Sequence, residues 1–385
     1  MFFIIVISIL FIMHGYVGYR VIPNLNLSPF NTILAFVFIF LFSLLPISPF
    51  LIRLIGFQSK FLDKISFIGY TSLGFFTLSF IALIAKDFLS QLLAISTKLI
   101  NSDYTLDDSK REFLKKTASV GIIGITGPAT AFGLYSARKG PSVINQEIFL
   151  DTLPKEFDNF TIAQISDLHV GPTIKRPYVE GVVDKISHLN PDLIAVTGDL
   201  VDGSVEYLRS DTEPLKNMIA KYGTYFVTGN HEYYSGVDQW LDETDRIGMI
   251  NLLNSHVVLE KKGSKIVIAG VTDFKADQIK PAHKSNPFLA LKTTPPLLTK
   301  IVLAHQPRSI DAVNRAGAHL QLSGHTHGGQ FWPFTYPTKL ANKYLAGYYN
   351  HNGTHIYVNR GTGYWGPPLR LGVPAEISLI KLRSI

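Results

Sequence analysis

The chain has 385 residues and a net charge of +7, and its lack of cysteine excludes disulfides and thiolate metal ligands. Hydrophobic residues make up 46% of it, and the mean hydropathy of +0.20 is high for a soluble protein. Residues 1–147 carry 12 Lys and Arg against 7 Asp and Glu, a net charge of +5. Residues 148–385 carry 24 Lys and Arg against 22 Asp and Glu, a net charge of +2. Because this second part lacks the basic excess of nucleic-acid-binding proteins, we expect no nucleic-acid partner.

The first 147 residues are predicted to form a membrane region with three to four transmembrane helices. Apolar stretches at about 1–19, 32–52, 66–86 and 118–137 are each long enough, as a helix, to cross a hydrocarbon layer of roughly 30 Å. The fourth stretch is rich in Gly and follows a segment around Lys110 and Arg111 that resembles a twin-arginine export signal. A fourth span and an uncleaved export signal therefore remain alternatives for this stretch.

The distribution of Lys and Arg between the connecting loops predicts the orientation of a multi-pass protein. If all four stretches cross the bilayer, slightly more basic residues lie on the side of the loops after the first and third stretches. That side is then cytoplasmic, and the domain after the fourth stretch lies on the outer face of the inner (cell) membrane. The failure of one span would reverse this orientation.

Residues 148–385 are predicted to form an α/β domain of layered type, with a sheet covered by helices. Short β-branched or apolar runs that end in turn residues are typical of buried strands. They occupy 161–165, 193–197, 224–228, 265–271, 300–304, 319–322, 355–358 and 376–382. Longer stretches of mixed polarity at 177–189 and 235–247 are predicted to be helices.

Five of these predicted strands end in residues that bind metals or carry out acid–base chemistry. Ligands gather at the carboxyl ends of strands in such folds, and carboxylates, amides and imidazoles are metal ligands. Taken singly, an Asp in such a turn is more often a turn former or a helix cap, and a lone His is more often structural. The ordered set is Asp167-Leu168-His169, Gly198-Asp199-Leu200-Val201-Asp202, Gly229-Asn230-His231-Glu232, His305 and Gly324-His325-Thr326-His327.

These motifs resemble those of the calcineurin-like metallophosphoesterase family, which has the patterns D-x-H, G-D-x-x-D, G-N-H-[ED], a lone His and G-H-x-H. The resemblance covers the whole of residues 148–385. It implies a β-sandwich of two mixed sheets with helices on both outer faces, which together with the N-terminal helices is the expected architecture.

The resemblance also implies two divalent metal ions, with Mn, Fe or Zn favoured by the mixture of ligand types. Two such ions can clamp a phosphoryl group and activate a hydroxide for in-line attack. His231 is then the residue beside the leaving oxygen, and Asp202 orients it, with a plain turn residue as the alternative for Asp202. The implied metal ligands are Asp167, His169, Asp199 and His327 for one ion and Asp199, Asn230, His305 and His325 for the other.

Membrane helices joined to this domain resemble bacterial membrane-anchored members of the family, some of which act on UDP-2,3-diacylglucosamine. The resemblance implies a lipid bilayer and a phosphate ester as partners, with a phosphodiester or pyrophosphate of a lipid-linked substrate as the leading interpretation of the bond cleaved. The alternatives are a phosphomonoesterase or nucleotide phosphodiesterase with the membrane region only as anchor, and a non-catalytic metal-binding membrane sensor. The sequence does not indicate the oligomeric state.

An aromatic stretch follows the last metal motif, and it is compatible with a lip that meets the bilayer or a lipidic substrate, or with core packing. It comprises Phe331, Trp332, Phe334, Tyr336, Tyr344, Tyr348 and Tyr349.

Overall fold

The computed structural model describes residues 2–48, 51, 59–99 and 108–385. The chain divides into two compact units. The first contains the chain up to Tyr135 together with Gly366–Leu369, and the second contains Ser136–Trp365 and Arg370–Ile385.

The first unit is helical, and four described helices are long and apolar enough to cross a membrane. Uncharged apolar residues dominate each of them, so that their side chains favour a lipid environment over water. The helices are α1 (Phe2–Val21), α2 (Pro29–Leu44), α3 (Lys60–Leu99) and α4 (Asp108–Arg138).

The helices coincide with the predicted stretches but differ from them in length. For the stretch 32–52, α2 and a following 3₁₀ turn cover Pro29–Ile47, whereas residues 49, 50 and 52 lie outside the described residues. The stretch 66–86 lies inside the much longer α3, and 118–137 lies inside α4. The prediction stopped at charged residues such as Lys64 and Asp87, but the helix continues through both, and the Asp87 carboxylate is paired there with Arg20 and Lys86.

The second unit contains two six-stranded sheets, each with parallel and antiparallel pairs, and so has the predicted mixed-sheet architecture. The first sheet has the order β1-β12-β2-β3-β4-β5, and the second has the order β10-β11-β9-β8-β7-β6. The strands are β1 (Ser142–Leu150), β2 (Thr161–Ile165), β3 (Leu193–Val196), β4 (Thr224–Phe226), β5 (Ile250–Asn251), β6 (Ser255–Lys261), β7 (Ser264–Gly270), β8 (Thr299–Leu303), β9 (Leu320–Ser323), β10 (Gly347–His351), β11 (Thr354–Val358) and β12 (Glu376–Ser384).

Three layers of buried side chains hold this unit together. The inner faces of the two sheets share one apolar core, which contains Ile162 from the first sheet and Ile301 from the second. Separate clusters lie between the first sheet and its helices and between the second sheet and its helices, so helices cover both outer faces. The helices of this unit are α5 (Arg176–Leu189), α6 (Val205–Thr212), α7 (Asn230–Ser235), α8 (Val237–Arg246), α9 (Pro287–Ala290), α10 (Ile310–Arg315) and α11 (Thr335–Ala341).

Four strands were missed by the sequence prediction, and they are β1, β5, β6 and β10. The strand β1 pairs in parallel with β12 along its whole length and crosses the predicted domain boundary between residues 147 and 148. Its first six residues are exposed or half-buried and four of them are polar, so they lack the apolar run on which the prediction of a strand depended.

Candidate active site

The strand order brings all the predicted metal motifs to one end of the sandwich. In the first sheet, β2, β3 and β4 are parallel neighbours, so their carboxyl ends lie side by side. In the second sheet, β8 and β9 are also parallel neighbours. The motif residues follow these five strands directly: Asp167 and His169 after β2, Asp199 and Asp202 after β3, Asn230 and His231 after β4, His305 after β8, and His325 and His327 after β9.

The first cluster joins His169, His327 and Asp167. The Nε2 atoms of His169 and His327 lie 3.1 Å apart, and His327 Nε2 lies 3.4 Å from Asp167 Oδ1. Two neutral imidazoles that face each other through unprotonated nitrogens repel, whereas a cation between them accepts a lone pair from each. Asp199 Oδ2 lies 3.9 Å from His169 Nε2, which places this carboxylate at the edge of the same cluster.

The second cluster joins Asp199, His305 and His325. His305 Nε2 lies 3.1 Å from Asp199 Oδ2 and 3.2 Å from His325 Nδ1. The other ring nitrogen of His305 donates a hydrogen bond of 2.8 Å to the carbonyl oxygen of Thr197, which turns Nε2 toward the cluster. Asp199 therefore lies between the two clusters and is the only predicted ligand within reach of both among the described residues.

Asn230 has a buried side-chain oxygen, Oδ1, with no hydrogen-bond partner in the described part of the chain. Its neighbour His231 donates a backbone hydrogen bond of 2.8 Å to Asp199 Oδ1, so Asn230 adjoins the second cluster. A buried amide oxygen without a partner costs free energy, and coordination of a cation removes that cost. The donor set therefore fits a pair of divalent ions, with the amide oxygen as a ligand of the second.

Burial and the neighbouring charges set two of the predicted imidazole ligands and the shared carboxylate in forms that bind cations. Among the other ligands, burial raises the pKa of Asp167, and at His305 the charge of Asp199 outweighs burial and raises the pKa. Burial lowers the pKa of His325 to about 3, and burial followed by the charge of His169 lowers that of His327, so both rings are neutral at pH 7. Burial opposes ionisation of Asp199, but the adjacent His305 holds its pKa well below the ordinary value. Neutral imidazoles and an ionised carboxylate are the forms in which these side chains coordinate metals.

Asp202 contacts two histidines through its two carboxylate oxygens. Its Oδ2 lies 3.0 Å from Nδ1 of His169, and its Oδ1 forms a short hydrogen bond with Nδ1 of His231. Burial alone would lower the pKa of His231, but the charges of Asp202 and Asp199 raise it to about 9. His231 is therefore protonated at neutral pH, and its Nε2 lies 4.0 Å from Asp199 Oδ2.

The backbone at the site is strained in a way that the sequence did not predict. Five of the predicted ligands have the left-handed conformation that side chains rarely adopt and that costs roughly 1–3 kcal/mol per residue. Hydrogen bonds hold them there, including those from the backbone N–H groups of Asp167 and His169 to the carbonyl oxygens of Gly198 and Asp199. The φ angles are 52° for Asp167, His169 and Asp199, 73° for His325 and 51° for His327.

The glycine of the last motif permits the two sheets to approach at the site. A Cβ atom on Gly324 would lie 1.8 Å from Ser166 Oγ and 2.3 Å from Asp167 Oδ2. The backbone N–H of the next residue, His325, donates to both oxygens of Asp167 at 3.0 and 2.9 Å. The close approach therefore connects the motif after β9 to the motif after β2.

Glu232 was not assigned a role from the sequence, yet it fixes the turns that carry the site. Its buried carboxylate accepts backbone hydrogen bonds from Asp199 and Gly229 at Oε2 and from Leu200 at Oε1, with distances of 3.1, 2.6 and 2.7 Å. Burial, followed by the charge of Asp199, raises its pKa to about 7. Its place as the last residue of the motif after β4 is the one signal in the sequence that indicates such a role.

Replacing Glu232 with Gln is expected to weaken metal binding by about 10–100-fold, the range found for residues that support metal ligands. The amide keeps the shape of the side chain but turns an NH₂ group toward a backbone N–H, which leaves that buried donor without an acceptor. Metal titration of the full chain by calorimetry measures the change. Glu180→Gln in the exposed part of α5 is the matched control, and equal affinities in the two variants would contradict the assignment.

Arg370 is a second buried residue that the sequence analysis missed. It is 1% exposed, and it donates hydrogen bonds to the carbonyl oxygens of His327, Arg360 and Gly361 at 3.0, 2.8 and 3.1 Å. Burial lowers its pKa to about 10. Because its partners are carbonyl groups 9 to 43 positions away, no fixed spacing indicates its role, which is to hold the turn of the last metal motif.

Comparison with known proteins agrees with this geometry. Residues 160–329, which contain all the motif residues, match the family model described as calcineurin-like phosphoesterase. A protein of Helicobacter pylori strain J99 described as an uncharacterized metallophosphoesterase is 35% identical over 312 residues, covering 79% of this chain and 80% of its own length. The chain belongs to the calcineurin-like metallophosphoesterases.

Further relatives of this metallophosphoesterase occur in animals as well as in bacteria. A zebrafish (Danio rerio) transmembrane protein with metallophosphoesterase domain is 36% identical over 268 residues, covering 68% of this chain and 61% of the zebrafish protein. Among solved structures, the calcineurin-like phosphoesterase YfkN from Bacillus subtilis has a TM-score of 0.38 and 18% identity, covering 53% of this chain and 82% of that one. The family identifies the chain as a metal-dependent phosphoester hydrolase with a divalent-metal requirement.

Proposed function

We propose that the chain is a membrane-anchored dinuclear-metal phosphoesterase that hydrolyses a phosphodiester or pyrophosphate of a lipid-linked substrate. The observation that carries the proposal is the convergence of two histidine-containing clusters on the single carboxylate of Asp199, with His231 protonated beside them. A substrate phosphoryl group has two partly negative oxygens that bind cations, and this arrangement offers a cation-binding cluster for each.

The residues that hold the metals follow from the two clusters. Asp199 would be shared by the pair, because its carboxylate has two oxygens and reaches both clusters. Ions bound there would supply Lewis-acid activation of a water nucleophile and neutralise charge on the phosphoryl group. Asp167, His169, Asp199 and His327 would hold the first ion, and Asp199, Asn230, His305 and His325 would hold the second.

His231 supplies the proton for the leaving oxygen. Its Nδ1 is held by Asp202, which leaves Nε2, 4.0 Å from Asp199 Oδ2, as the nitrogen available to a substrate. A protonated imidazole at this position donates to an alkoxide as the phosphorus–oxygen bond breaks, which removes the charge that would otherwise develop there. Asp202 stabilises the imidazolium and fixes the ring, while its other oxygen orients His169.

The membrane part of the proposal rests on the four candidate spans. We propose a multi-pass protein of the inner (cell) membrane, with the catalytic domain on the outer face as the Lys and Arg count favours. The catalytic domain would begin ahead of β1 rather than at residue 148, because β1 is hydrogen-bonded to β12 from Ser142 onward. A substrate such as UDP-2,3-diacylglucosamine has the required phosphate ester and the apolar part that a bilayer retains.

The proposal is tested with the full chain in detergent, supplied with Mn²⁺ and four substrates. We expect bis-p-nitrophenyl phosphate to be hydrolysed faster than p-nitrophenyl phosphate, and a diacylated pyrophosphate to have a lower KM than its deacylated counterpart. Equal KM values with and without acyl chains would contradict the lipid-linked substrate, and turnover of the monoester alone would establish a phosphomonoesterase instead. Binding of two metals with no turnover of any substrate would favour the sensor.

A further inference from the structure

A run of exposed apolar side chains follows the last metal motif and continues into α11. Trp332, Phe334, Tyr336 and Leu340 are 54, 39, 64 and 90% exposed. We call these four residues the aromatic patch. Tyr336 and Leu340 are four residues apart in α11 and so share one face of that helix. Exposed aromatic and leucine side chains grouped in this way mark a surface that a partner covers.

The aromatic patch stands on a rigid base that is connected to the metal site. Phe331, the residue before it, is buried and packs against Phe334, with the ring centroids 5.0 Å apart. The backbone N–H of Trp332 donates to the carbonyl oxygen of Leu371 at 2.9 Å. Gly329, two residues after His327, approaches α11 so closely that a Cβ atom on it would lie 2.5 Å from Thr335 Cα. The patch therefore cannot withdraw into the core without moving the turn of the last metal motif.

The chemistry of the segment matches the headgroup layer of a bilayer. Residues 331–345 contain two lysines, Lys339 and Lys343, and no Asp or Glu. Both lysines are exposed, and Lys343 lies 3.7 Å from the exposed carboxylate of Asp311. Trp and Tyr prefer the level of the lipid headgroups, and a lysine beside them attracts anionic phosphates.

A bilayer suits this surface better than a second copy of the chain does. Two-fold pairing of the patch would bring its own lysines together, and the acidic group beside them, Asp311, is already paired with Lys343 in the same copy. The chain also has four candidate membrane spans, and only Lys139, Gly140 and Pro141 separate α4 from β1. At most about 14 Å of extended chain therefore joins the last candidate span to β1.

We propose that the aromatic patch inserts into the headgroup layer of a bilayer that contains anionic lipids. The patch would then hold the turn of His327 at the membrane surface, where the phosphate of an amphipathic lipid lies. The delivery of a lipid substrate in this way rests on the proposed function, whereas the contact with lipid does not.

The test measures tryptophan fluorescence of the full chain in liposomes of brominated phosphatidylcholine and phosphatidylglycerol. The chain has three tryptophans, of which Trp240 is 1% exposed and Trp365 is 48% exposed. Bromine on the acyl chains quenches a tryptophan that enters the bilayer, so we expect strong quenching of the unmodified protein and loss of most of it in Trp332→Phe. The matched control is Trp365→Phe, which retains the quenching that comes from Trp332.

Two outcomes would overturn the proposal. If Trp332→Phe keeps the full quenching by brominated lipid, then Trp332 lies outside the bilayer. If Trp332 is protected both from brominated lipid and from aqueous acrylamide, then a protein surface covers the patch. Turnover of the soluble diester in the same liposomes reports the proposed function separately, so a failure of one is distinguishable from a failure of the other.

A charge variant tests the lipid class. With Lys339→Glu we expect quenching to fall in liposomes that contain phosphatidylglycerol and to change less in phosphatidylcholine alone, because the added carboxylate repels anionic headgroups. An equal fall in both kinds of liposome would contradict the role of anionic lipid.

Discussion

Asp199→Asn is expected to lower phosphodiester turnover by more than about 100-fold. Loss of a residue that only supports a metal ligand costs roughly 10–100-fold, and this substitution removes the shared ligand itself. The Asp199 carboxylate is 2% exposed and lies between His305 Nε2 at 3.1 Å and His169 Nε2 at 3.9 Å. An amide has one oxygen with a useful lone pair toward the site and no charge, so it cannot serve two cations.

The same variant keeps the fold, which makes the result specific to the metals. The amide oxygen of the substituted side chain can still accept the backbone N–H of His231, which in the unmodified protein donates to Asp199 Oδ1 at 2.8 Å. Circular dichroism and the unfolding temperature without metal are expected to match those of the exposed control Asp184→Asn. Metal analysis of the purified full chain should fall from two ions to one or none. Two tightly bound ions in Asp199→Asn would contradict the bridging role.

His231→Gln is expected to keep both metals and to lower kcat by about 10²–10⁴-fold for substrates with alkyl leaving groups, the range for a lost general acid. The loss should be much smaller for p-nitrophenyl esters, because p-nitrophenolate leaves without needing a proton. His231 is not within the predicted ligand set, and Asp202 raises its pKa so that it carries the proton at neutral pH.

The dependence on the leaving group separates proton donation from a general structural loss. A variant that disturbed the metals would slow all substrates alike, as Asp199→Asn should. His188→Gln, on the exposed surface of α5, is the control for the substitution itself. An equal loss of kcat for alkyl and p-nitrophenyl leaving groups in His231→Gln would show that His231 acts by another route, such as electrostatic stabilisation of the phosphoryl group.

The sequence predicted every interior strand of both sheets and none of the edge strands. The interior strand β3 is buried at all four positions, and that burial appears in the sequence as an unbroken apolar run. The edge strands β1, β5, β6 and β10 have one neighbour each, and polar residues interrupt their apolar ones, so none of them is such a run. Their pairing is decided by the partner strand, which periodicity within one segment cannot show.

The candidate site was predictable to the extent that its residues follow interior strands. Asp167 and His327 are 160 positions apart in the chain, but each follows a run that the sequence identifies as a strand. The residues that hold the metal-binding turns in place were harder to identify from the sequence. Glu232 bonds to three backbone N–H groups from two turns, and Arg370 bonds to carbonyl groups of a loop, so neither has a partner at a fixed spacing. The left-handed backbone at the ligands likewise results from contacts between strands and loops.

The aromatic stretch shows where the sequence left two interpretations open and how the structure divides them. Phe331 is buried, as expected if the stretch packs in the core. Trp332 and Tyr336 are exposed, as expected if the stretch meets a bilayer or a lipidic substrate. Composition alone could not separate them, because adjacent residues in the turn before α11 point to opposite sides of the same backbone.

The most direct test of the dinuclear centre is anomalous diffraction from crystals of the full chain grown with Mn²⁺. We expect two anomalous peaks about 3.5–4 Å apart, as in other two-metal sites, with Asp199 in contact with both. One peak should touch His169 and His327, and the other should touch Asn230, His305 and His325. A single peak, or two peaks that do not share Asp199, would contradict the account.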